Sequence, residues 1–184
     1  NLDKITKICK EKKICLIEDT AWGCGGKFKN KFLGTWGQIG TFSFDFAKNI
    51  TTGEGGMILF KNKKDYKKAI AWHDHGHENN PKKQRWEDTR KSSGFNFRMT
   101  ELQGAVGIAQ LKKLNIIIKK HRNNKSDIWR LISKNKAIIQ RKIPKGSYET
   151  ADALIIKLEN KNLALKLRKE LLKFNINTKI LPEA

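Results

Sequence analysis

The chain has 184 residues, and its 39 lysines and arginines against 18 aspartates and glutamates give a formal charge of +21, which would ordinarily raise a polyanionic partner. The cations are spread through helices and loops without a zinc-finger or RNA-recognition motif, which sets specific nucleic-acid binding aside and leaves nonspecific binding at low salt. No run approaches the roughly 18 apolar residues of a membrane span, and Cys9, Cys15 and Cys24 are odd in number and lack metal-ligand spacing, as in a reduced, cytoplasmic protein.

In chain order, Leu2, Ile5, Ile8 and Cys9 share one face of a short helix. Ile14–Asp19 reads as a continuously apolar, buried parallel strand closing on two carboxylates. Asp19 then stands at the carboxyl end of a strand, where open α/β sheets bind ligands. A loop rich in glycine follows, through Gly23, Gly25, Gly26, Gly34 and Gly37. Phe42, Phe44 and Phe46 alternate with Ser43 and Asp45, which predicts a strand that buries its rings and turns the hydroxyl and carboxylate the other way. Lys48 emerges where that strand ends, ahead of Gly53-x-Gly55-Gly56, a turn that tolerates positive φ and close approach by a phosphate. An aromatic strand that delivers one lysine into a glycine turn is how a Schiff-base amine is presented. The competing reading is that Lys48 is one more solvated lysine.

Met57–Phe60 answers as the next strand, and Asn62 caps a helix over 63–72. His73, His75 and His77 alternate in a way that metal sites sometimes use, although the end of a helix entering a loop is the simpler reading, with no metal. In that loop Arg85 and Arg90 offer bidentate forks for a carboxylate or phosphate, or else belong to a solvated basic loop. Thr100-x-x-Gln103 is a capping-box pattern, and Leu102, Ala105, Val106, Ala109, Leu114 and Ile117 predict the buried stripe of the helix it opens. Ala153–Ile156 reads as a strand, and Leu163, Leu167, Leu171 and Phe174 as the apolar face of a last helix. The alternation of strands and helices is that of an α/β protein.

Three ordered stretches carry a resemblance: Glu18-Asp19-Thr20-Ala21; Phe42-Ser43-Phe44-x-x-x-Lys48 with Thr52-Gly53-Glu54-Gly55-Gly56; and Gly94-Phe95-Asn96-Phe97-Arg98-Met99-Thr100-Glu101-Leu102-Gln103. They resemble the DegT/DnrJ/EryC1/StrS sugar aminotransferases, which use pyridoxal 5'-phosphate on the aspartate-aminotransferase fold (fold type I). The resemblance implies a mixed, mostly parallel sheet flanked by helices. Residues 1–120 would be part of the large cofactor-binding domain, and 121–184 the end of a linking helix and the start of a small carboxyl-terminal domain. It further implies that Lys48 forms the Schiff base and shuttles the proton, that Asp19 pairs with the pyridine nitrogen, and that Ser43 binds the cofactor phosphate. Asn96 would reach a phosphate across a homodimer interface. Trp22 stands where most members carry a glutamine or histidine that touches the ring hydroxyl; its indole donates one hydrogen bond and accepts none, which suits packing as well as cofactor contact.

Relatives that replace the lysine with histidine are sugar dehydratases, so Lys48 points to an aminotransferase. Glutamate would supply the amino group, and the acceptor would be a keto or aldehyde sugar bound for surface polysaccharide or lipopolysaccharide. His75, Arg85 and Arg90 border the expected substrate. Trp72–Pro81 and Glu18–Gly23 resemble the subgroup that aminates carbon eight of an oxidised 3-deoxy-manno-octulosonate, whose carboxylate those arginines would suit. Members of the family are about twice as long as this chain. It therefore reads as an internal fragment lacking a second phosphate-binding turn, whose activity alone is doubtful. The rival reading is a catalytically silent module of the same fold that binds polyanions through its charge.

Overall fold

The computed structural model describes residues 1–180, which fall into two compact units. The first is Asn1–Arg122 with Pro144–Asp152; the second is Asn123–Ile143 with the chain from Ala153 onward.

In the first unit, helix α1 (Leu2–Glu11) precedes strand β1 (Ile17–Asp19). Strands β2 (Lys27–Phe28) and β3 (Lys31–Phe32) form a tight hairpin in the glycine loop, with Lys29 and Asn30 at positive φ. Strand β4 (Ile39–Ser43) pairs parallel with β1 and antiparallel with β5 (Gly56–Phe60). Helix α2 (Lys63–His73) follows, capped by Asn62, whose side chain accepts the Lys64 N–H at 2.8 Å. A long loop with a 3-10 turn at Arg85–Glu87 leads to helix α3 (Glu101–Ile132). Its start is a complete capping box: Gln103 accepts the Thr100 N–H at 2.9 Å, and Thr100 accepts the Gln103 N–H at 3.3 Å. In the second unit, β6 (Ile139–Gln140) pairs antiparallel with β8 (Ile156–Lys157), and α4 (Lys161–Lys173) is capped by Asn160 on the Leu163 N–H. Strand β7 (Ser147–Tyr148) returns to the first unit and pairs with β2.

Several expectations are corrected. The strand ahead of Lys48 ends at Ser43, because Asp45 captures the Ala47 N–H at 3.1 Å and its carbonyl accepts the Lys48 N–H at 3.0 Å, which folds the chain into a turn. Phe46 is consequently exposed instead of buried with Phe42. β1 is shorter than expected, and Ile14 and Ile17 are more than half exposed, so only Glu18 of this strand is buried. On α1, Ile5 and Ile8 also stay largely exposed.

The buried stripe of α3 differs most. Leu102, Ala105, Val106 and Ala109 face outward, while Gly107, Gln110, Leu114 and Ile118 turn inward. The reason is Gly25. Held at φ +87°, it brings the glycine loop so close that a β-carbon there would lie 2.5 Å from the Ile118 side chain and 3.1 Å from that of Leu114. That contact selects the helical face that is covered, and Ile118 becomes the most deeply buried side chain described. Met57 and Ile58 on the sheet, and Ile108, Leu111 and Ile116 on α3, remain apolar and exposed.

Candidate active site

Because β1 and β4 run parallel, with Asp19 opposite Thr41, their carboxyl ends lie on one edge of the sheet, and Asp19 and Ser43 sit there together. Asp19 Oδ1 accepts the Ala21 N–H at 3.1 Å, which begins the turn toward Trp22. On the neighbouring strand, Ser43 Oγ accepts the Asp45 N–H at 3.4 Å.

The loop that carries Lys48 is closed by its own backbone. Phe44 donates to the Gly55 carbonyl at 2.8 Å, and the Phe44 carbonyl accepts from the Thr52 N–H at 2.9 Å and the Thr51 hydroxyl at 3.1 Å. Thr52 in turn donates its hydroxyl to the Glu54 carbonyl at 2.7 Å, and Ile50 is buried beneath. Gln103, at the start of α3, donates to the same Glu54 carbonyl at 2.8 Å. Held this way, the Lys48 amine lies 3.6 Å from the centre of the Trp22 ring, a cation–π contact. The fold thus brings Lys48 to Trp22, three residues beyond Asp19.

A residue that the sequence reading passed over holds this edge together. Glu18 is buried at 8% exposure, and its carboxylate accepts the backbone N–H groups of Gly34 (2.8 Å), Trp36 (2.5 Å) and Gly37 (2.7 Å). It pins the loop before β4 against β1. The available signal was the period of a strand: of two adjacent carboxylates, one must face inward.

The remaining candidates lie in the loop between α2 and α3. His75 is exposed at φ 54°. Arg85 is committed to Asp74 through two hydrogen bonds of 2.6 Å, and Arg90 Nε donates to His77 Nε2 at 3.1 Å. His77 is buried, with Nδ1 3.3 Å from Asp88. Asn96 forms an isolated bridge with Asp74 and accepts Arg98 Nε at 2.9 Å. The three histidines diverge, His73 turning to the Ile70 carbonyl at 2.6 Å. Among the described residues no group of three His, Cys, Asp or Glu side chains is placed to hold a metal, and no helix is long and apolar enough to cross a membrane.

Arg85, bonded to both carboxylate oxygens, overcomes the opposing effect of burial and holds the Asp74 pKa down at about 2, with Arg98 contributing. A depressed carboxylate pKa stabilises the fold fully above its unfolded value near 4, and that contribution disappears as pH falls toward 2. Thermal melts between pH 5 and 2 are therefore expected to show a stability loss that Asp74→Asn makes shallower by about the slope of one carboxylate.

Lys48 has no carboxylate partner among the described residues; its one recorded side-chain contact is the face of Trp22. Asp19 keeps Oδ2 unpartnered among the described residues, and Ser43 presents a hydroxyl on the same edge. An unpaired amine, a free carboxylate and a hydroxyl together fit a carbonyl cofactor with a basic ring nitrogen and a phosphate. The α/β architecture is that of the pyridoxal-phosphate-dependent aminotransferases of fold type I. The chain belongs to the DegT/DnrJ/EryC1/StrS aminotransferase family, whose model matches residues 1–182.

Among its relatives, GDP-perosamine synthase of Escherichia coli O157:H7 is 38% identical over 122 residues, covering 66% of this chain and 32% of that protein. GDP-4-keto-6-deoxy-D-mannose 3-dehydratase of Yersinia pseudotuberculosis is 32% identical over 189 residues, covering 96% and 48%. The solved structure of Helicobacter pylori PseC, an aminotransferase involved in the biosynthesis of pseudoaminic acid, superposes with a TM-score of 0.86 at 27% identity, covering 96% and 47%. The chain spans at most about half the length of these proteins.

Proposed function

We propose that this chain is the lysine-bearing part of a homodimeric sugar aminotransferase that moves an amino group from glutamate to a keto carbon of a nucleotide-linked sugar. The product would enter surface polysaccharide or lipopolysaccharide synthesis in the cytoplasm. Residues 1–120 would belong to the cofactor-binding domain and 121–184 to the linking helix and small domain. The observation that carries the reading is Lys48, presented by a closed loop at the carboxyl edge of the sheet with its amine unpaired by any carboxylate among the described residues.

Bound there, pyridoxal phosphate would supply an electron sink that acidifies the carbon bearing the amino group. Lys48 Nζ would take that proton and return it to the carbon on the far side of the nitrogen. Asp19 Oδ2 would hold a proton at the ring nitrogen, and the Ser43 hydroxyl would donate to a phosphate oxygen. Trp22 packs beside the amine, with Nε1–H available as a donor. Asn96 donates to a phosphate in the second subunit's site. Relatives of both kinds, synthases and dehydratases, match this chain; the lysine favours amino transfer over dehydration.

The substrate is read from relatives named for GDP- and UDP-linked sugars. The octulosonate alternative rests on the Trp72–Pro81 and Glu18–Gly23 stretches; of the arginines that would suit its carboxylate, Arg85 is engaged by Asp74 and Arg90 by His77. A protein extended to the length of its relatives, given isotope-labelled glutamate and a panel of keto sugars, is expected to place label on a nucleotide-linked hexose. Label on the octulosonate alone would overturn the substrate, and loss of water from the sugar without label would overturn the reaction.

A further inference from the structure

The segment Gly94–Phe97 lies against the end of α2: Phe95 donates to the Trp72 carbonyl at 2.8 Å, Phe97 to that of His73 at 2.9 Å, and His75 to that of Phe95 at 3.0 Å. This pairing sets Asn96 opposite Asp74. The Asp74 side chain is 5% exposed and gathers two guanidinium groups, Arg85 through both oxygens and Arg98 with Nε 3.3 Å from Oδ1. The same Arg98 Nε donates to the Asn96 side-chain oxygen at 2.9 Å.

An asparagine amide has one accepting end and one donating end, and rotation about its last bond exchanges them at little cost in solvent. Arg98 removes that freedom. With Oδ1 taken by a cationic donor, the NH₂ group is turned away from Arg98, and Asn96 is exposed. A donating NH₂ attracts an anionic oxygen, whereas the flipped amide would present a repelling carbonyl. Arg98 on its own is a long side chain, 45% exposed; the buried carboxylate of Asp74 is what holds it in place.

We propose that Asp74 and Arg98 are positioning residues that lock the Asn96 amide with its NH₂ group outward, ready to donate to the cofactor phosphate. The inference rests on the reading of Asn96 given above and adds the two residues that orient it. Neither touches the reacting atoms.

The test compares the affinities of the full-length dimer for pyridoxal phosphate and for pyridoxal, which lacks the phosphate, by absorbance titration. Asn96→Ala is expected to weaken pyridoxal phosphate about tenfold and to leave pyridoxal unchanged. Arg98→Gln and Asp74→Asn are expected to weaken pyridoxal phosphate by about three- to tenfold, again sparing pyridoxal, and to add little on top of Asn96→Ala. If Asn96→Ala affects both ligands equally, the reading of Asn96 itself falls. If Asn96→Ala discriminates but Arg98→Gln does not, the positioning role is overturned while that reading stands. Parallel loss of both ligands in Asp74→Asn would mark a purely structural role; should that variant not fold, Arg98→Gln, at a half-exposed side chain, decides the matter.

Discussion

Replacing Lys48 with alanine in the full-length enzyme is expected to lower amino transfer by at least about 10²–10⁴-fold, the usual contribution of a positioned proton carrier. It should also abolish the pyridoxyl group that borohydride otherwise leaves on this residue, read by peptide mass spectrometry. Lys48→Arg sharpens the result. Arginine keeps a positive charge that can stay over the Trp22 ring, so that contact survives, yet a guanidinium is not deprotonated in proteins and can neither condense with a carbonyl nor carry the proton. Lys48→Arg is therefore expected to be as inactive as the alanine variant while matching wild type in thermal melting. Retention of the borohydride label in either variant would place the cofactor's anchor elsewhere and remove the basis of the proposed function.

Glu18→Ala is expected to be the most destabilising single change at this edge. Three backbone donors, those of Gly34, Trp36 and Gly37, converge on one buried carboxylate, and a buried donor left without a partner costs about 1–3 kcal/mol. A total loss of roughly 3 kcal/mol or more follows, visible as a lower urea midpoint with an unchanged slope. Glu18→Gln keeps one accepting oxygen and should lose about half as much. The chemistry should feel it too, because Glu18 precedes Asp19 on the same three-residue strand. Loosening the 34–37 loop is expected to weaken cofactor binding through Asp19, although the Glu18 carboxylate is itself occupied by three backbone donors. An unchanged urea midpoint in Glu18→Ala would show that water replaces the carboxylate.

Three local features were legible from residue order alone: the Asn62 cap, the reciprocal Thr100–Gln103 pair and Asp19 at the carboxyl end of a parallel strand. Each depends on groups within a few residues of one another, or on two strands whose carboxyl ends a parallel pairing must bring to one edge. The element misjudged most has its partner distant in the chain. The stripe of α3 was read from its own apolar spacing, but both faces of that helix are apolar, and the approach of Gly25 decided which one is covered. The alternation of phenylalanines likewise suggested a strand through Phe46, until the Asp45 carboxylate, a local competitor for backbone N–H groups, ended it at Ser43.

Residue order by itself determined the chemistry on offer: an amine, a carboxylate and a hydroxyl in a family's spacing, with tryptophan in place of the usual ring-hydroxyl partner. Tertiary structure alone decided which charged groups are free to use. Arg85 and Arg90, equivalent to Lys48 in any count of cations, are taken by Asp74 and His77, while Lys48 meets only an aromatic face among the described residues. The physical reason is that a charge reaches its lowest free energy with the nearest opposite charge or acceptor, and that neighbour is set by how the loop between α2 and α3 folds back on itself, not by its order along the chain.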